Sequence, residues 1–123
     1  MPGTGLYGLW KLGRFTPITL EEAADIITEA KKYFPKWTRV MRIQRDIPTK
    51  VTSAGVNRTN LRQYVSELLK KKGITCNCIR CREPRNKTIN WNEVKITHEE
   101  YNASLGKEIF ISANDTSQDI LLG

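Results

Sequence analysis

Cys76-Asn77-Cys78-Ile79-Arg80-Cys81 is the sharpest local signal in this sequence, and shortly after it, past Arg85, the chain changes character. Upstream, apolar residues recur three and four apart, as on helices. Downstream they alternate, as on strands. In an extended segment, residues two apart point the same way, so Cys76 and Cys78 aim at one point and a turn brings Cys81 round. Three thiolates about 2.3 Å from an ion make three corners of a zinc tetrahedron. Thiolate donors favour zinc, and iron also accepts them. Arg80 and Arg82 favour the thiolate form. The bland alternative is three free thiols, which crowding into six residues argues against. The fourth ligand is open. The single histidine, His98, competes with Glu83, water and a residue outside this chain.

Upstream, Thr19-Leu20-Glu21-Glu22 reads as a capping box, with Ile18 placed for a hydrophobic staple. Leu20, Ala23, Ala24, Ile27, Ala30 and Phe34 keep helical spacing, and Pro35 limits the element, so a helix is expected over about 20–34. Before it, Pro2-Gly3-Thr4-Gly5 is a loop, and Leu6, Leu9, Trp10 and Leu12 form a short apolar turn. Arg39 to Gln44 alternates as a strand, with Met41 and Ile43 on one face, ended by Asp46-Ile47-Pro48. A loop over 49–58 leads to a second helix at about 60–72, with Leu61, Val65 and Leu68 as its core stripe. Gly73 falls where a left-handed cap belongs, and Lys70, Lys71 and Lys72 suit the negative end of that helix.

Downstream, Asn86 to Asn92 is turn-like. Val94 to Tyr101 and Lys107 to Ser112 read as strands joined by residues 102–106. Asn114 to Gln118 is another turn. Asp119 to Gly123 reads as a strand cut short, whose backbone groups need partners.

The chain has 123 residues, enough for one domain or pieces of two. Nothing approaches the roughly 18 consecutive apolar residues of a membrane helix, and MPGTGLYGLWKLGRF lacks the core of a secretory signal. An odd cysteine count argues against a closed disulfide framework and for a reducing, cytoplasmic setting. Twenty basic and thirteen acidic residues leave +7. The excess is concentrated in residues 31–85, which hold fifteen basic and three acidic groups, a net +12. Such a block points to a polyanion, most naturally nucleic acid, or simply to a solvated basic face. Nucleophilic catalysis is not supported: one histidine and clustered cysteines make no triad, and no phosphate-binding glycine loop is present. Glu21/Glu22 and Glu99/Glu100 are adjacent pairs whose side chains diverge.

Two stretches carry a family resemblance. Arg39 to Pro48 reads RVMRIQRDIP, and Asn60-Leu61-Arg62 opens a helix leading to Cys76 through Glu83, CNCIRCRE. Both resemble the catalytic subunit of Elongator and its archaeal and bacterial relatives, the tRNA wobble-uridine modifying enzymes. Gly3-Thr4-Gly5-Leu6-Tyr7, Leu9-Trp10-Lys11, Gly13-Arg14-Phe15, Glu100-Tyr101-Asn102-Ala103-Ser104, Gly106-Lys107-Glu108 and Gln118 to Gly123 are similar too, in order along essentially the whole chain.

The resemblance implies an α+β (α/β) chain that is an internal piece of a longer enzyme. Residues 1–85 would be the end of a radical S-adenosylmethionine barrel with its zinc-binding junction, 86–93 a linker, and 94–123 the first strands of an acetyltransferase-like (GNAT) fold. Cys76, Cys78 and Cys81 match the family's junctional zinc motif. The iron–sulfur cysteines and the acetyl-CoA loop have no counterpart here, so S-adenosylmethionine, cluster and acetyl-CoA belong to the full-length parent. No catalytic residue carries over, and the lone chain is expected to be inactive. The implied partners are the tRNA anticodon arm, the flanking radical and acetyltransferase segments, and other copies of the chain through its open strand edges, with no membrane. Arg39, Arg42, Arg45, Arg58, Arg62, Lys70, Lys71 and Lys72 are the candidate phosphate contacts. Asp46 is a candidate partner for one of these arginines. Tyr64 and Trp37 are candidates for base stacking or for the core. A stand-alone zinc-dependent RNA-binding module and a non-catalytic interdomain scaffold are the rival readings.

Overall fold

The computed structural model describes residues 2–43 and 49–123. Its contacts form two compact units, Met1–Lys32 with Arg42–Thr75 and Tyr33–Met41 with Cys76–Gly123.

The first unit is helical. Helix α1 spans Gly5–Lys11, where the Tyr7 amide donates to Thr4 Oγ1 at 3.2 Å. Gly13 ends it in the left-handed region at φ +69°, with its amide on Trp10 O and the Arg14 amide on Leu9 O. This pair of bonds is a Schellman cap, which satisfies carbonyls the helix leaves open. Helix α2 spans Leu20–Ala30 and continues as a 3-10 turn over Lys31–Tyr33, close to the predicted 20–34. The capping box forms in both directions: the Glu22 amide donates to Thr19 Oγ1 and the Thr19 amide to Glu22 Oε2. That backbone bond holds the Glu22 carboxyl below its ordinary range. Ile18 stays about half exposed, so the expected staple does not cover it.

Helix α3 spans Leu61–Lys71 and packs against α2. It buries Leu61, Val65 and Leu69, so Leu69 takes the place expected for Leu68. Positions 61, 65 and 69 step by four and form a nearly straight line along a 3.6-residue helix. On α2 the buried line is Ala24 and Thr28, followed by Lys31, while Leu20 and Ile27 flank it partly covered. Gly73 caps α3 as predicted: φ is +63°, its amide reaches Lys70 O, and the Ile74 amide reaches Leu69 O at 2.9 Å.

The strand predicted over Arg39 to Gln44 is corrected: residues 39–43 form no strand, and Gln44 lies outside the described residues. Ile43 is buried while Met41 is exposed, so the two do not share a covered face. A strand needs a ladder partner, and this segment crosses from one contact unit to the other between Met41 and Arg42.

The second unit carries the sheet. Strands β1 (Val94–Ala103), β2 (Gly106–Asp115) and β3 (Ile120–Leu121) lie antiparallel in the order β1-β2-β3. The hairpin is longer and its loop shorter than predicted. Pairing runs from Val94↔Asp115 to Ala103↔Gly106, and Ser104 at φ +52° turns the chain with Leu105 at the tip. A left-handed residue in a two-residue loop matches strand twist, which lets Asn102 and Ala103 stay in the ladder. The C-terminal strand exists and pairs with β2, while Ile96, Ile109 and Ile111 stand exposed on one face of the hairpin. Among the described residues, no helix is long and apolar enough to cross a membrane.

Candidate metal centre

The three cysteines converge inside the second unit. Cys78 ends an extended approach and caps a single helical turn, α4, over Ile79–Arg82. The Cys81 amide donates to Cys78 O at 2.9 Å, and the Ile79 amide to Thr38 O at 3.0 Å. This turn swings Cys81 back toward the extended arm. The ligand atoms of Cys76, Cys78 and Cys81 all lie within 4.8 Å of one another. Sulfurs on a zinc tetrahedron with 2.3 Å bonds stand about 3.8 Å apart, so the three fit a thiolate-bound ion after a small contraction. Cys76 and Cys78 are buried and Cys81 is partly covered, which leaves one side for a fourth ligand.

His98 and Glu83 are not among the gathered ligand atoms. His98 faces solvent on β1 opposite Ile111. Glu83 instead accepts Arg39 Nη2 at 2.6 Å. That leaves water or a group outside the described residues for the fourth position.

Sequence reasoning placed Arg82 beside the thiolates as a source of positive charge. The structure gives it further work. Its side chain is buried, with Nε donating to Asn77 O at 3.0 Å, Nη2 to Lys36 O at 3.0 Å and Nη1 to Asn114 Oδ1 at 3.1 Å. Asp119 Oδ1 lies 3.4 Å away and also takes Lys36 Nζ at 3.3 Å. Asn114 passes the network on to Thr97 and Ser112 through its Nδ2. Nothing in the sequence signals a contact across 32 positions. Asp115 next to it is fully buried and accepts from Ser117 Oγ, the Ser117 amide, the Asn90 amide and Gln118 Nε2. The Ser117 hydroxyl, then the Asn90 amide, hold its carboxyl below the ordinary aspartate range.

The basic candidates divide between the units. Arg39 belongs to the second, in its ion pair with Glu83. Arg42, Arg58, Arg62, Lys70, Lys71 and Lys72 belong to the first, and Arg45 and Asp46 lie outside the described residues. Arg58 stacks over the Tyr64 ring at 5.0 Å and donates through Nε to Asn60 Oδ1, leaving its outer nitrogens directed by that stack. Lys72 donates to Asp25 at 2.8 Å, which raises its pKa. Lys70 and Lys71 are exposed. Trp37 lies flat on Tyr101, ring centroids 4.3 Å apart and planes 1° from parallel, so one of its faces is already covered by protein.

The family described as the Radical_SAM C-terminal domain matches residues 1–71. This chain belongs to that family. It is 44% identical to the tRNA uridine(34) acetyltransferase of Methanocaldococcus infernus, over 98% of this chain and 24% of that protein. It is 38% identical to human Elongator complex protein 3, over 98% of this chain and 23% of the relative. A solved structure of the archaeal M. infernus Elp3 with an N-terminal deletion matches at TM-score 0.90, over 98% of this chain and 30% of that one. The resemblance to the Elongator catalytic subunit therefore holds along nearly the whole length. This radical SAM C-terminal segment spans about a quarter of the curated relatives it matches.

Proposed function

We propose that the chain is the junction segment of a tRNA wobble-uridine modifying enzyme of the Elongator catalytic type, and that it contributes a structural zinc site and part of the tRNA-binding surface. The convergence of Cys76, Cys78 and Cys81 carries this reading. A largely buried three-cysteine cluster beside a hydrogen-bonded sheet suits a structural ion, which contributes folding energy to the segment that holds it. In this reading residues 1–85 close a radical SAM domain, 86–93 link, and 94–123 open an acetyltransferase-like domain. The exposed Ile96, Ile109 and Ile111 support a further layer over the hairpin, supplied by flanking segments or, in their absence, by a second copy. S-adenosylmethionine, an iron–sulfur cluster and acetyl-CoA would be bound by the longer cytoplasmic protein.

The tRNA anticodon arm is the polyanion that the basic block would meet, with Arg42, Arg58, Arg62, Lys70 and Lys71 in the first unit, Arg39 in the second, and Arg45, outside the described residues, as phosphate contacts. Lys72 is the weakest of these candidates because Asp25 already holds it.

Two measurements test the reading. Chain purified without added metal should carry about one zinc, and Cys78→Ser should remove it; an unchanged stoichiometry in the variant rules out the site. Arg42→Glu with Arg45→Glu should weaken tRNA binding and flatten its salt dependence by about one unit of slope per lost phosphate contact. Unchanged affinity and slope would move the tRNA surface elsewhere.

A further inference from the structure

Metal sites depend on groups that aim their ligands as much as on the ligands themselves. In this chain the arm between two ligands, Cys76-Asn77-Cys78, has an exposed central residue whose carbonyl is held from below. The Asn77 carbonyl accepts Arg82 Nε at 3.0 Å. The rest of that guanidinium is fixed by two other parts of the chain, Lys36 O in the Tyr33–Met41 segment and Asn114 Oδ1 on β2. Arg82 also stands directly after Cys81 in sequence, in the turn that carries the third thiolate. One side chain therefore ties the Cys76–Cys78 arm, the Cys81 turn and the sheet into a single frame.

We infer that Arg82 is the positioning residue of the three-thiolate site, resting on the reading that this site binds a metal. Two physical features carry it. The first is geometry. Arginine presents donors in a rigid planar fork, so the direction of Nε and the two Nη groups is set together, and a carbonyl on one prong is fixed by acceptors on the others. The second is charge. Three thiolates around a divalent ion and a neutral fourth ligand carry a net single negative charge. Arg82 supplies a buried positive charge in the same unit, 4% exposed, and its carboxylate neighbour Asp119 is about half in solvent at 3.4 Å. Lysine keeps the charge but cannot satisfy Asn77, Lys36 and Asn114 in one plane. Glutamine keeps polarity and loses both fork and charge.

The test uses the full 123-residue chain and cobalt(II), whose sulfur charge-transfer and ligand-field bands report thiolate count and coordination geometry. Wild type, Arg82→Lys, Arg82→Gln, Asp115→Asn and Cys78→Ser are titrated with cobalt(II) against a competing chelator. Outer-shell changes at metal sites cost about 10- to 100-fold in affinity. That loss is expected for Arg82→Gln, with altered ligand-field bands. Arg82→Lys should recover affinity only in part. Asp115→Asn disturbs a buried network in the same sheet without touching Asn77, and should leave metal affinity within a few-fold of wild type. Equal affinity and spectra for wild type and Arg82→Gln, with Cys78→Ser unable to bind, would overturn the positioning role and leave the metal site standing. The same loss in Asp115→Asn as in Arg82→Gln would reduce Arg82 to general support of the fold and overturn it too. A wild-type chain that takes up no cobalt(II) would overturn both readings.

Discussion

At the scale of single residues, the second unit is held by hydrogen-bonded polar side chains such as Arg82, Asn114 and Asp115 rather than by a large apolar core. Asp115 shows it best. Its ionised carboxylate accepts four hydrogen bonds, so its folded pKa lies below the unfolded one. The stabilisation is therefore complete above the unfolded aspartate value, about pH 4, and is lost as pH falls through the lower folded value. Thermal unfolding in the presence of chelator, measured from pH 7 to pH 2, should steepen below about pH 4 in wild type and flatten in Asp115→Asn. Parallel profiles would show that the carboxylate does not contribute. The first unit behaves differently. Val65 has no exposed surface on α3, and Val65→Ala should cost about 2 kcal/mol in denaturant unfolding, with an unchanged m-value.

At the scale of elements, the caps decide where helices stop. Gly73 occupies the left-handed region, and a Cβ there meets nothing within 4 Å. The cost of Gly73→Ala is thus backbone strain alone, about 1–2 kcal/mol. Gly5, at the first position of α1, has equal room and no positive φ, so Gly5→Ala should be neutral or slightly stabilising. Equal effects of the two changes, read from thermal midpoints, would contradict this account. The same contrast explains what was legible in the sequence. Thr19, Glu22 and Gly73 act through bonds to residues three to five positions away, so local spacing revealed them. The cysteine cluster was legible because its three members span six residues. The strand at 39–44 was misread because alternation registers faces, not the presence of a neighbouring strand to pair with. Leu69 replaced Leu68 because the partner helix, not the periodicity, selects which edge of the stripe is covered. The hydrogen-bonding role of Arg82 was not legible because its acceptors lie as far off as Lys36 and Asn114.

At the scale of the whole chain, the three gathered cysteines all fall in one contact unit, and α2 and α3 in the other. Chelation should therefore raise amide exchange over residues 74–85 and the adjoining sheet, while the amides of α2 and α3 keep their protection. Uniform loss of protection would show that the two units unfold as one. The second unit also carries a means of watching this. Trp37 is drawn from the Tyr33–Met41 segment and Tyr101 from β1, and their rings lie flat against each other at 4.3 Å. Two aromatic chromophores fixed in an asymmetric setting give near-ultraviolet circular dichroism that vanishes when packing loosens, even if backbone structure survives. Trp91, by contrast, is largely in solvent. The stacked pair is thus a built-in optical gauge, sensitive to whether the 33–41 segment, whose Thr38 carbonyl takes the Ile79 amide of the cysteine turn, is seated on the sheet.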